Sequence, residues 1–182
     1  SNTATGEYST VLNGTSSTAS GSNSTASGSN STASGDHSTA SGIYATTSGR
    51  HATASGFYAV ASGAFSFSTG NFSNATSYGS ISMGDYVNAD GANSIAIGSY
   101  ADADSSYAVA VGSNVEASGT FSVAIGSQAS SPFYGQHAQS SGGFVSSGDA
   151  QRSTLVLRKQ TTDATVTNLY LDGSTEEITL VD

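Results

Sequence analysis

The sequence predicts an all-β rod, a parallel β-roll (β-solenoid) of stacked coils with fourteen residues in each. Three observations carry this reading. Glycine recurs on a seven-residue register, the residues between glycines alternate like short strands, and two kinds of heptad take turns. Of the seventeen multiples of seven from 14 to 126, fifteen are Gly, and the two exceptions, Ser77 and Ser105, are small. A period held over so long a stretch marks a repeat architecture.

A heptad repeat also raises the coiled coil. That structure needs large apolar residues at two positions per heptad, and a helical Gly costs about 1 kcal/mol relative to Ala, so a Gly in nearly every unit excludes it. The Ser/Gly/Thr-rich residues 1–42, taken alone, also admit a flexible linker as the lesser reading. They stay in phase with the apolar units downstream, however. Residues 22–28 (SNSTASG) and 36–42 (DHSTASG) align with 57–63 (FYAVASG) and 120–126 (TFSVAIG).

Each heptad is numbered here so that its Gly is position seven. Positions three to six then alternate as a strand, and Gly with the two residues after it supplies the corner, where positive φ costs glycine nothing. From residue 78, units with two large apolar residues (80–84 SISMG, 94–98 SIAIG, 108–112 AVAVG, 122–126 SVAIG) alternate with units of small and acidic ones (87–90 VNAD, 101–104 ADAD, 115–118 VEAS). The true period is therefore fourteen, with two strands per coil facing each other across a thin core. The bulky residues occupy positions four and six of one strand, and Val or Ala positions three and five of the other.

Ile95 and Ile97 point one way, so Ala96 points the other, and Ala110 and Ala124 follow suit. A strand apolar on both faces needs cover on both. So thin a coil buries little by itself, and the Ala face is expected to pack against identical neighbours in a homotrimer. Seventeen heptads make about eight and a half coils, a rod of roughly 40 Å at the usual strand spacing.

These residues carry a resemblance. SIAIGSYADADS, YAVAVGSNVEASG and TFSVAIGSQA resemble the head repeats of trimeric autotransporter adhesins, the YadA-like head, over about residues 14–130. The resemblance implies a left-handed parallel roll, trimerised about a shared axis, that binds host surface or matrix molecules. The repeat ends near Ser127–Phe133, where the Gly is missing and the only proline, Pro132, appears, and no neck or heptad stalk follows. Instead, residues 148–182 resemble the C-terminal segment of bacteriophage tail fibres. Together the two resemblances favour a phage tail fibre on a virion that uses an adhesin-like roll for host attachment. The alternative is the head of a bacterial trimeric adhesin at the cell surface.

The expected organisation is a lead-in (1–13), the roll (14–130), a linker (131–151) and a β-rich segment (152–182). In the last, residues 153–158, 165–171 and 177–181 alternate, and the turn at 172–175 makes the latter two a plausible hairpin. A small antiparallel cap there would block edge-to-edge growth. The chain also reads as a piece of a longer polypeptide.

Composition narrows the function classes. Four basic against thirteen acidic residues give a net charge of −9, which repels nucleic acid and anionic lipid. There is no cysteine for disulfides or thiolate zinc sites, and no apolar run approaches the roughly 18 residues of a membrane span. No cofactor or metal is expected. His37 and His51 lie one coil apart but form no His-x-His pair, and Asp90, Asp102, Asp104 and Glu116 lack the repeated Gly-Gly-x-Gly-x-Asp pattern of calcium-binding rolls. The acids read as solvated outer faces. No cleft-forming insertion holds a carboxylate pair for a tailspike depolymerase, so the chain is expected not to be an enzyme. The array of Thr25, Thr32, Thr39, Thr46 and Thr53 leaves an ice-binding solenoid as a further alternative.

The binding candidates are the rings at position two. Tyr44, Tyr58, Phe72, Tyr86 and Tyr100 stand fourteen residues apart on one corner. Phe65, Tyr107 and Phe121 stand on the other, with His37 and His51, interrupted by Gly79 and Asn93. Stacked coils turn them into ladders that serve either as platforms for sugar rings or apolar protein surface, or simply as packing. The expected partners are two further copies of the chain and a host cell-surface receptor, either carbohydrate or outer-membrane protein.

Overall fold

In the computed structural model, residues 1–157 and 168–172 are described. Among them there are sixteen strands and no helix. The predicted hairpin of 165–171 and 177–181 falls mostly outside the described residues.

Strands pair in parallel with the strand fourteen residues on, in unbroken register: Ile81 with Ile95, Ile95 with Val109, Val109 with Val123. Each coil has two strands, here called the A strand (residues such as 95–98) and the B strand (such as 101–104). In the middle of the roll the ladder pairing continues around the A-to-B corner, so that Phe67–Ala75, Ile81–Ala89, Ile95–Ala103 and Val109–Ala117 each run through it. The B-to-A corner is a hydrogen-bonded turn. Ser80 N donates to Ser77 O at 3.2 Å, Ser94 N to Gly91 O at 3.1 Å, and Ala108 N to Ser105 O at 3.1 Å.

The interior is lined by positions three and five of both strands, as expected for the B strand and the reverse of the orientation expected for the A strand. Ala96, Ala110 and Ala124 are fully buried inside the coil, facing Ala101, Ala103, Val115 and Ala117 of the B strands. No Ala face is left for a neighbour. The large residues of the A strands point outward instead, with Met83 37% and Ile125 44% exposed. Two sheets joined by three-residue corners stand too close together for Ile, and nothing larger than Val87, Val115 and Thr47 is buried between them in the repeat.

Serine hydroxyls fill the rest of the interior and satisfy one another or nearby carbonyls. Ser68 Oγ bonds to Ser73 Oγ at 2.8 Å, Ser73 Oγ to Ser82 Oγ at 2.9 Å, and Ser82 Oγ donates to Val87 O at 2.9 Å. Ser24, Ser31 and Ser94 are exceptions, buried with no partner for Oγ. An unsatisfied buried hydroxyl costs about 1–3 kcal/mol, and Ala already occupies the equivalent sites at Ala52, Ala45 and Ala108. Ser94→Ala is therefore expected to stabilise the roll by about 1 kcal/mol, read as a raised thermal midpoint; an unchanged or lower midpoint contradicts this.

The roll overruns its predicted bounds. Thr3–Ala4 pairs with Thr18–Ala19, and Thr10–Leu12 with the strand Thr25–Ser29, at an offset of fifteen that hid them from a seven-residue count. At the other end His137–Ser141 pairs in parallel with Val123–Ser127 inside the expected linker, keeping Ala138 buried although Ser140 replaces the Gly. Gln151–Thr154 then runs antiparallel to it. Between them Asp149 organises a loop by accepting from the backbone N–H of Phe144, Val145 and Ser146 at 2.8, 2.6 and 2.9 Å.

Candidate binding surface

The corners are built by two conformational requirements. Position two is left-handed in every heptad: Asn30, Tyr44, Tyr58, Phe72, Tyr86, Tyr100 and Asn114 at one corner, and Asn23, His37, His51, Phe65, Asn93, Tyr107 and Phe121 at the other, all have φ between 50° and 59°. The positive φ that the sequence reading placed at glycine is thus also borne by the second residue after it. A left-handed residue costs roughly 1–2 kcal/mol, which Asn lowers by local hydrogen bonding and an aromatic ring offsets by stacking, at about 0.5–1.5 kcal/mol per pair.

The glycines divide by corner. Those following the A strand, such as Gly70, Gly84, Gly98 and Gly112, have φ of 129° to 141°, whereas those following the B strand, such as Gly63 and Gly91, do not have positive φ. The latter are held by close approach, since a Cβ on Gly91 would lie 1.9 Å from Ser105 O in the next coil. Both serine exceptions to the register, Ser77 and Ser105, fall on this second series.

The A-to-B corner carries one continuous stack of five rings. Successive centroids from Tyr44 through Tyr58, Phe72 and Tyr86 to Tyr100 are 4.6, 5.1, 4.9 and 5.2 Å apart, with planes within 14° of parallel. The other corner carries two shorter stacks, His37–His51–Phe65 and Tyr107–Phe121, separated by Gly79 and Asn93. Arg50 lies 5.6 Å from the Phe65 ring centroid. In both ladders ring faces are turned toward each other, and ring edges and phenol hydroxyls are turned to solvent. A sugar laid flat on a ring face fits only at the ends of a stack.

Beside the long stack runs a second ladder that the sequence reading did not single out as a site. Asn74 Nδ2 donates to Asn88 Oδ1 at 2.9 Å, and Asn88 Nδ2 donates to Asp102 Oδ1 at 2.8 Å. With Phe72, Tyr86 and Tyr100 these residues line an open groove of about 320 Å³ that follows the stacking direction over three coils. Its signal was present in the sequence as an aromatic-x-Asn/Asp triplet repeating every fourteen residues: FSN at 72–74, YVN at 86–88 and YAD at 100–102. The earlier rungs lack it, with Thr46 and Val60 at the equivalent place.

Around the groove the B face carries Asp90, Asp104 and Glu116, whereas its earlier coils present Thr and Ser. Burial and then the neighbouring carboxylates of Asp102, Asp90 and Glu116 raise the pKa of Asp104 above the ordinary aspartate value. The folded state thus holds this proton more tightly than the unfolded chain. Stability from this group falls as pH rises through the mildly acid range above the ordinary value. Asp104→Asn is expected to raise the thermal midpoint at neutral pH and to flatten that slope, and an unchanged pH dependence contradicts it. His37 and His51 stack 4.8 Å apart, and among the described residues no group of three or more His, Asp or Glu is placed to hold a metal ion.

The same repeat is found in known proteins. The YadA head domain repeat matches residues 13–36, 33–59, 48–73, 89–114 and 103–129, more than half of the chain. This chain belongs to the YadA head repeat family. No curated protein matches it. The matches skip the coil that holds Ser77, Tyr78 and Gly79, where the ring stack of the B-to-A corner is also broken. As a YadA-like head, the chain is an adhesin-type β-solenoid with two ringed corners, whose A and B faces are rich in Thr and Ser in the first coils and become apolar and acidic, respectively, from about residue 81.

Proposed function

We propose that the chain is a segment of a homotrimeric adhesive fibre that presents a receptor-binding surface and has no catalytic role. The observation that carries this is the outward A face. Ile81, Met83, Ile95, Ile97, Val109, Val111, Val123 and Ile125 form one outward apolar stripe that no other strand of the roll covers among the described residues, on a roll whose repeat family is that of trimeric adhesins. Stripes of this size on a soluble surface are interaction sites. Three such faces around a common axis cover one another and leave the B faces and corners outside for a partner. Within this reading, the antiparallel strand Gln151–Thr154 seals the open end of the stack.

The resemblance of residues 148–182 to tail-fibre ends favours a phage fibre, which attaches a virion to a bacterium. The family match favours an autotransporter head, which attaches a bacterium to a host. Adsorption of the labelled trimer separates the two. A phage fibre binds intact bacteria and competes with phage adsorption; an autotransporter head binds animal cells or matrix. Binding to none of these overturns the adhesive reading.

A further inference from the structure

We propose that the groove between Phe72, Tyr86 and Tyr100 on one side and Asn74, Asn88 and Asp102 on the other binds an uncharged oligosaccharide laid along the fibre, one sugar per coil. This rests on the adhesive reading and names the ligand class of that surface.

The lining suits a polyol. Asn74 and Asn88 each spend one amide hydrogen within their ladder and keep the other for a ligand hydroxyl, while Asp102 keeps Oδ2 as an acceptor. The Tyr86 and Tyr100 hydroxyls make no hydrogen bond among the described residues and add donor–acceptor pairs on the opposite wall. These side chains need little ordering on binding. Asn74, Asn88 and Asp102 are half-buried and fixed to one another, and the rings are clamped in their stack.

The spacing also matches. Rungs recur at ring separations of 4.9 and 5.2 Å along the groove, close to the length of one pyranose unit in an extended chain. Each sugar therefore meets a ring on one side and an amide or carboxylate on the other, in step with the one before it. Because the ring faces are consumed by stacking, recognition runs through hydroxyls and amides and not through a sugar lying on a ring.

Charge selects against acidic glycans. Asp102 is within the groove, and Asp90, Asp104 and Glu116 share its B face, so a sialylated or sulfated chain is repelled. Position favours access as well. The amide wall belongs to B strands, on the sheet opposite the apolar A face, and trimerisation through the A face leaves the groove open.

The test is an array of immobilised glucose, galactose, mannose and N-acetylglucosamine oligomers beside sialylated and sulfated glycans, probed with the full chain and followed by titration of the strongest hit. The expected result is binding confined to uncharged oligomers. The Tyr86→Phe/Tyr100→Phe double variant preserves the ring stack and should weaken binding by roughly tenfold. Asn88→Ala should weaken it further, and Tyr78→Phe on the other corner should leave it unchanged. A blank array, preference for acidic glycans, or full binding by the double variant overturns the proposal. If the array is blank while cells are still bound, the groove assignment falls and the adhesive reading stands. If neither binds, both fall.

Discussion

Ile97→Asp is expected to turn the proposed trimer into folded monomers. Ile97 sits near the middle of the outward A stripe, with Ile95 on the same strand, Met83 on the coil before and Val111 on the coil after. In the single chain its side chain points to solvent, so a carboxylate there asks nothing of the roll's interior and the sheet circular dichroism should persist. In a trimer built on the A face, three carboxylates come together in an apolar seam. An unpaired buried charge costs several kcal/mol, and here three repel one another. Light scattering after size exclusion should report the mass of one chain for Ile97→Asp and of three chains for Ile97→Val. Glu116→Gln, on the acidic face, should remain trimeric. A trimeric Ile97→Asp variant would place the subunit contact elsewhere.

The second large effect is expected from one methyl group at the A-to-B corner. Gly98 has φ of 135°, which an L side chain rarely adopts, and an added Cβ would lie 1.8 Å from Gly112 O in the next coil. Both the strain and the overlap act on backbone locked into the ladder on both sides, so no flexible side chain can give way. Gly98→Ala should cost more than about 4 kcal/mol, lower the thermal midpoint on the order of 10 °C and open the roll to protease near that coil. Gly35→Ser is the contrasting substitution. Gly35 does not have positive φ, and it lies in the series where Ser77 and Ser105 occur naturally, each donating through Oγ to a carbonyl of the next coil at 2.6 Å. Its Cβ would lie 2.2 Å from Gly49 O, an overlap that Ser77 and Ser105 show the backbone can absorb at this corner, so it should lower the midpoint by only a few degrees. Equal losses for the two substitutions would mean that close packing alone, and not backbone conformation, fixes the glycine register.

How much of this was legible follows from what a repeat does and does not encode. The fourteen-residue coil could be read directly, because parallel in-register stacking forces equivalent residues onto one another, and Gly70, Gly84, Gly98 and Gly112 are the visible trace of that. Inside and outside could not be read the same way. Alternation separates Ile95 and Ile97 from Ala96 but does not say which set is buried, and the habit of placing the larger apolar residues inside gave the wrong answer for a roll this thin. The first coil escaped notice because one extra residue moves Thr3 to fifteen before Thr18. The ring ladders were placed on the correct corners, but their left-handed backbone was not foreseen, since Tyr and Phe are poor residues for it. Asn30, Asn93 and Asn114 at the same position were the available hint. The amide ladder was missed because Asn74, Asn88 and Asp102 look like ordinary solvated residues until the coil sets them beside Phe72, Tyr86 and Tyr100.

The proposed trimeric fibre rests on the A face being a seam between three copies of an elongated roll. Sedimentation equilibrium and velocity on the native chain test this most directly. The prediction is the mass of three chains with the high friction of a rod, unchanged on dilution to low micromolar concentration. A single-chain mass, or a compact particle of any other mass, would contradict it.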